Sequence, residues 1–187
     1  MLIYRGGKKR DFLQLHEEAI EQCHDIIASI PYSNLDDACE DFFNRINSAN
    51  ITAIIYFRID WSIPFDPRII DKFSNERISF KGVVDNLHAK VIWWKKWGFY
   101  IGSSNLTNRS CFINHEAGLF FYEQDAKKDI PNELDKFFIE LDDDSIICDE
   151  KLIEKLNIQY MRLDEFRNER ALLSSDFMTS SDVSDIK

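Results

Sequence analysis

The sequence predicts an α/β fold, a mixed β-sheet flanked by helices. Two observations carry this. Stretches with apolar residues three and four apart alternate with short β-branched and aromatic runs. The 187-residue chain is also 44% hydrophobic and holds 15 Phe, enough for one sizeable core. Neither an internal repeat nor an interdomain linker interrupts it. Residues 1–173 are therefore expected to form one domain, followed by a disordered polar tail at 174–187.

Residues 1–4 suit a short strand, broken by Gly6-Gly7. Asp11 looks like a helix N-cap, with Gln14 three residues on. Phe12, Leu15, Ala19, Cys23, Ile26, Ile27 and Ile30 then share one helical face, and Pro31 ends the helix. Ser33 or Asn34 caps a second helix, with Asp36 and Asp37 favourably placed in its first turn. Its stripe is Leu35, Ala38, Cys39, Phe42, Phe43 and Ile46, and Asn50 closes it. Residues 51–57 are β-branched and aromatic, hence a buried strand. Asp66-Pro67 opens a helix that turns Ile69, Ile70 and Phe73 inward.

Residues 77–84 form another strand, feeding directly into a strand at 89–94, a Lys95-Lys96 turn and a strand at 98–101. Residues 107–111 suit a helical turn, and 117–122 a strand. Asp129 and Pro131 open a helix carrying Leu134, Phe137, Phe138 and Leu141. Asp142-Asp143-Asp144 looks like a solvated acidic turn. Residues 150–156 and 163–173 have helical character.

No apolar run is long enough to cross a bilayer and no leader opens the chain, so a cytoplasmic protein is expected. Cys23, Cys39, Cys111 and Cys148 are widely spaced, as buried thiols in a reducing compartment would be. His16-Glu17-Glu18-Ala19-Ile20 begins like a zinc-protease helix, but Ile20 stands where the second His belongs. His16, Cys23 and His24 are better explained as packing residues than as metal ligands.

The net charge of −10 argues against a polyanion partner, yet residues 77–109 carry Arg77, Lys81, Lys90, Lys95, Lys96 and Arg109 against Asp85 alone. That segment is a positive island in an acidic chain. It suits either an ordinary solvated sheet edge or a mouth that attracts phosphate.

The chemistry concentrates in residues 87–105. Side chains two apart on a strand share a face, so His88 and Lys90 project together. An imidazole beside an ammonium on a half-buried surface makes sense beneath an anion. Gly102-Ser103-Ser104-Asn105 then offers small residues and donors that also suit an anion. Trp93, Trp94 and Trp97 are better core or interface residues than stacking platforms.

His88 and Lys90, four residues, Lys95, six residues, Gly102-Ser103 and Asn105 together resemble the signature of the phospholipase D superfamily. Only the Asp expected at position 95 is lost. In the family that Asp looks structural, so its replacement bears on turn geometry more than on catalysis. Lys95 is expected to be an exposed turn lysine. Glu116 occupies the place of a downstream acidic residue. The recognisable resemblance spans residues 52–122.

The resemblance implies a phospholipase D-like fold and a metal-independent phosphodiesterase with no cofactor. His88 would attack phosphorus and form a phosphohistidine. Lys90, Ser103 and Asn105 would stabilise the non-bridging oxygens. Glu116 would orient an imidazole. The remaining histidines, His16, His24 and His115, lack a following Lys, so the chain holds one half-site. A homodimer is expected to complete it. Small single-motif members look mostly like nucleases, which favours nucleic acid, DNA above all, as substrate. A phospholipid or small-diester hydrolase and a non-catalytic binding protein are the alternatives.

Overall fold

The computed structural model describes residues 2–5, 12–127 and 129–177. Among the described residues eight strands form one mixed sheet: β1 (Leu2–Arg5), β2 (Asp25–Ser29), β3 (Thr52–Ile59), β4 (Ile78–Val84), β5 (Lys90–Trp94), β6 (Gly98–Gly102), β7 (Ala117–Tyr122) and β8 (Ser145–Ile147). Their order is β1-β7-β6-β5-β2-β3-β4-β8. The central β2, β3 and β4 run parallel, and every other neighbouring pair is antiparallel. The helices are α1 (Phe12–Ile20), α2 (Asp37–Ala49), α3 (Arg68–Phe73), α4 (Asp129–Asp143) and α5 (Glu150–Phe177). This is the expected α/β sheet flanked by helices.

The helices cover both faces of the sheet. On one, α1, α2, α3 and part of α5 pack over Ile26, Ile55, Ile92 and Trp94. On the other, Leu134 and Phe138 of α4 pack over Tyr56, Trp93 and Phe99. β5 is therefore buried on both sides, which is why it is an unbroken apolar run after Lys90.

The single helix expected from residue 12 to Pro31 is instead two elements. α1 stops at Ile20, and 25–29 is the strand β2. Ile26, Ile27 and Ala28 satisfy a helical stripe by spacing. Pairing with β3 on one side and β5 on the other outweighs that pattern, and β-branched residues suit it. The cap expected at Asp11 lies outside the described residues.

The cap of α2 also moves. Asp36, not Ser33 or Asn34, is the N-cap, and its carboxylate accepts from Cys39 N. Asn50 closes the helix in the left-handed conformation, at φ 61°. The acidic turn at 142–144 is more than a solvated loop. Asp142 accepts from Tyr56 Oη at 2.7 Å and pairs with Lys81, fastening α4 to the sheet. The two C-terminal helical patterns are one continuous helix to Phe177, and residues 178–187 lie outside those described.

Candidate functional site

β5 runs antiparallel to β2 and so begins where β2 and β3 end. β6 ends and β7 begins at that same edge, since Gly102 pairs with Lys90 on one side and Gly118 on the other. Strand direction alone thus gathers His88, Lys90, residues 102–105, Glu116, Tyr32 and Arg58 at one end of the sheet. The carboxyl ends of parallel strands are where open α/β sheets commonly bind ligands.

The segment carrying His88 reaches this edge by a crossing. Strand β4 does not feed a neighbour, because β5 lies three places away in the sheet. Three strand spacings come to about 14 Å, and five extended residues span about 17 Å. Residues 85–89 therefore run nearly taut across the ends of β3 and β2. Asp85 turns the chain at φ 57°, and its N–H donates to Ile59 O at 2.9 Å. Ser29 Oγ donates to Ala89 O at 2.7 Å. Leu87 is buried beneath, and His88 is left exposed above.

Neighbouring loops form the rim. Ser33, Phe65 and Leu106 make a miniature parallel ladder, tightened by Ser33 Oγ donating to Leu106 O at 2.6 Å. Tyr32 and Asn105 each precede a rung. Asp36 accepts from Asn108 N and Asn108 Oδ1 from Ala38 N, both at 2.8 Å, so the N-terminus of α2 also holds the loop after Asn105.

Four of the five expected residues form two contacting pairs. Lys90 Nζ donates to His88 O at 2.8 Å. Ser103 Oγ donates to Glu116 and accepts from Ala117 N at 3.1 Å. Asn114 Nδ2 donates to the other Glu116 oxygen at 3.1 Å. Asn105 Oδ1 is buried and has no hydrogen-bond partner among the described residues, an uncommon state for a native polar atom. Turning the amide would place an N–H donor there instead. A cavity of about 370 Å3 lies against His88, Lys90 and Ser103, with Val91 and Ile101 as its apolar wall.

Two residues that sequence reasoning passed over complete the group. Tyr32 meets the His88 ring edge-on, with centroids 5.7 Å apart, and Lys90 Nζ lies 5.2 Å from the Tyr32 ring centroid. Arg58 Nη1 donates to Tyr32 Oη at 3.3 Å, and its Nε pairs with Asp60 at 2.5 Å. The available signal for Arg58 was a cation at the end of a buried strand. Tyr32 offered none, since it sits in a loop far from the motif in sequence.

Lys90 is only 9% exposed. Burial lowers its pKa, the Glu116 carboxylate opposes that, and the Arg58 charge adds to the lowering. Within this chain Glu116 is bonded to Ser103 and Asn114, while the ring packed against His88 is Tyr32. Among the described residues no cluster of three or more His, Cys, Asp or Glu could hold a metal ion.

The positive island does not gather in space. Lys81 lies three strands from β5 and pairs with Asp142. Lys95 and Lys96 sit in the turn at the far end of β5, where Lys95 is 3.6 Å from Asp135. Of that segment's cations Lys90 lies in the contacting group, and the further charge there is Arg58, from outside the segment. The turn missing its expected Asp is held by Glu123, which accepts from Lys96 N at 2.9 Å and Trp93 Nε1 at 2.8 Å. Trp93, Trp94 and Trp97 are buried. His16 is also core: its Nε2 bonds Phe42 O at 3.0 Å and its Nδ1 accepts from Trp94 Nε1 at 2.9 Å. The four cysteines are free thiols, with Cys23, Cys39 and Cys111 buried.

No family model and no curated protein matches the sequence. Solved structures do match the fold. A phosphatidylserine synthase from Haemophilus influenzae superposes with a TM-score of 0.67 at 15% identity, over 94% of this chain and 45% of its own. Nuc, a phospholipase D family member from Salmonella typhimurium, gives 0.62 at 13% identity over 79% of this chain and 97% of its own. NucT from Helicobacter pylori gives 0.59 at 14% identity, over 79% and 98%. This chain thus spans less than half of the synthase and nearly all of Nuc and NucT. These three superpositions show that the chain shares the fold of these structures, a phospholipase D family member among them.

Proposed function

We propose that the chain is a metal-independent phosphodiesterase, specifically a nuclease, whose active site is completed by a second copy. The observation that carries this reading is the convergence of His88, Lys90, Ser103, Asn105 and Glu116 on one sheet edge of a phospholipase D fold. His88 is exposed there, as a nucleophile must be. Attack of its imidazole on phosphorus forms a P–N bond while the P–O bond to the leaving group breaks. A second imidazole protonates that oxygen, then takes the proton of the water that splits the P–N bond. Lys90, Asn105 and Ser103 stabilise the charge on the non-bridging oxygens. Glu116 steadies an imidazole, its own or that of the second copy.

The other histidines of this chain are poor candidates for the second imidazole. His16 is locked in the core. His24 precedes β2, at the opposite end of the sheet. His115 is exposed in the stretch before β7, next to a Glu116 already bonded to Asn114 and Ser103. A second copy supplies it by two-fold pairing. Nucleic acid is favoured because the chain matches almost the full length of Nuc and NucT. Phospholipid is the second reading, favoured by the superposition on the phosphatidylserine synthase.

The test is cleavage of single-stranded and duplex DNA by the purified chain in EDTA, beside a phospholipid-vesicle assay. Cleavage that survives chelator, is lost in His88→Ala and follows the dimer fraction supports the proposal. Activity that needs a divalent ion, or that persists in a monomer, overturns it.

A further inference from the structure

Trp61 is 79% exposed, whereas Trp93, Trp94 and Trp97 are buried. Other large apolar side chains are exposed too, Ile113, Ile147 and Phe166 among them, but Trp61 offers the broadest aromatic face. The chain does not leave it loose. Asp60, just before it, accepts from Ser62 N at 2.7 Å and Ser62 Oγ at 2.6 Å. Ile63 closes the turn in the left-handed conformation at φ 44°, strained for a β-branched residue, with its N–H on Asp60 O. Gln159 of α5 donates to Trp61 O at 3.0 Å. The backbone is pinned on three sides while the side chain stands largely in solvent.

The turn is joined to the candidate site. Asp60 pairs with Arg58, Arg58 bonds Tyr32, and Tyr32 packs against His88. Trp61 follows β3, two strands from β5, and stands at the same sheet edge as His88. Strands β3 and β5 lie about 10 Å apart, and the crossing that carries His88 runs between them, a separation that a short single-stranded segment spans. An aromatic face at that remove suits a base a few nucleotides from the bond being broken, with Arg58 between them for the phosphate.

We propose that Trp61 is a stacking platform for a nucleobase of a single-stranded segment, beside and outside the phosphodiester site. This rests on the nuclease reading for its biological sense but not for its test. Stacking is tolerant of base identity, so the platform adds affinity without sequence specificity.

Because the other tryptophans are buried, acrylamide quenching of intrinsic fluorescence reports on Trp61. The full-length His88→Ala chain is titrated with a short single-stranded oligonucleotide, and in parallel with an abasic oligonucleotide of equal length and charge. Shielding of the exposed emission by the first and not the second is expected. Trp61→Ala should weaken oligonucleotide binding about ten- to hundredfold, and Trp61→Phe by much less. Equal shielding by the abasic strand overturns the proposal, as does unchanged affinity in Trp61→Ala. Shielding by anionic phospholipid vesicles instead of oligonucleotide assigns the indole to a membrane surface and overturns it. Shielding that rises with protein concentration alone assigns it to an interface between copies, with the same effect. DNA cleavage by the unaltered chain without base-dependent shielding sinks this proposal and leaves the nuclease reading standing. Base-dependent shielding without any cleavage does the reverse.

Discussion

His16 should make the fold sensitive to mild acid. Its ring is fully buried, and burial pushes its pKa from 6.5 down to about 3. The Phe42 carbonyl opposes that shift, and the Arg45 charge adds to it. The unfolded chain protonates this imidazole near pH 6.5 while the folded chain resists, so stability is complete above 6.5 and falls as pH drops towards 3. Each unit of that descent costs about 1.4 kcal/mol. At pH 5 the loss from this one group is about 2 kcal/mol, a large part of the usual stability of a single domain. The bond at stake runs to Trp94, four residues after Lys90 on the same strand. Urea unfolding at pH 7.5 and pH 5.0 measures the effect. His16→Gln keeps a donor for Phe42 O and an acceptor for Trp94 but cannot titrate. It should be less stable at pH 7.5, and its loss on going to pH 5.0 should be smaller than that of the unaltered chain by about 2 kcal/mol. Parallel pH dependences in the two proteins would refute the reasoning.

Lys90 gives two opposed expectations for the alkaline limb of the pH–rate profile. Glu116→Gln removes a carboxylate that favours the charged ammonium, so the limb moves to lower pH, whereas Arg58→Gln removes a like charge and moves it to higher pH. Initial rates of diester cleavage between pH 7 and 11 check both signs. Gly102→Ala should cost about 1–3 kcal/mol. Its methyl group would overlap the Tyr100 ring and lie 2.9 Å from Ala117 O, and Tyr100 is buried beside Ser104. A thermal melt measures the loss, and an unchanged midpoint would show that Tyr100 moves aside freely.

The residues of the motif were legible because their spacing survives along one hairpin. Lys90 and Gly102 are paired across β5 and β6, so a linear pattern maps directly onto neighbours in space. Glu116 was legible for the same reason, one strand further on. Tyr32 and Arg58 were not, because they reach the edge from β2 and β3, which lie beside the motif in the sheet but far before it in sequence. The charge island misled in the opposite way, since nearness in sequence across β4 and β5 is not nearness in the sheet. The apolar spacing of residues 25–29 fits both periods, and only partners distant in sequence select the strand. Ser33 is spaced as a helix cap, yet its hydroxyl serves a different loop altogether.

That hydroxyl has a wider effect. With Ser33 stitched to Phe65 and to Leu106, the stretches after β2, β3 and β6 behave as a single slab of rim rather than three independent fingers. A slab is ordered before any ligand arrives, so little motional freedom remains to be lost on capture. It also couples the fates of these stretches: an insertion tolerated in one would shear the other two, and homologous chains should vary in all three together or in none.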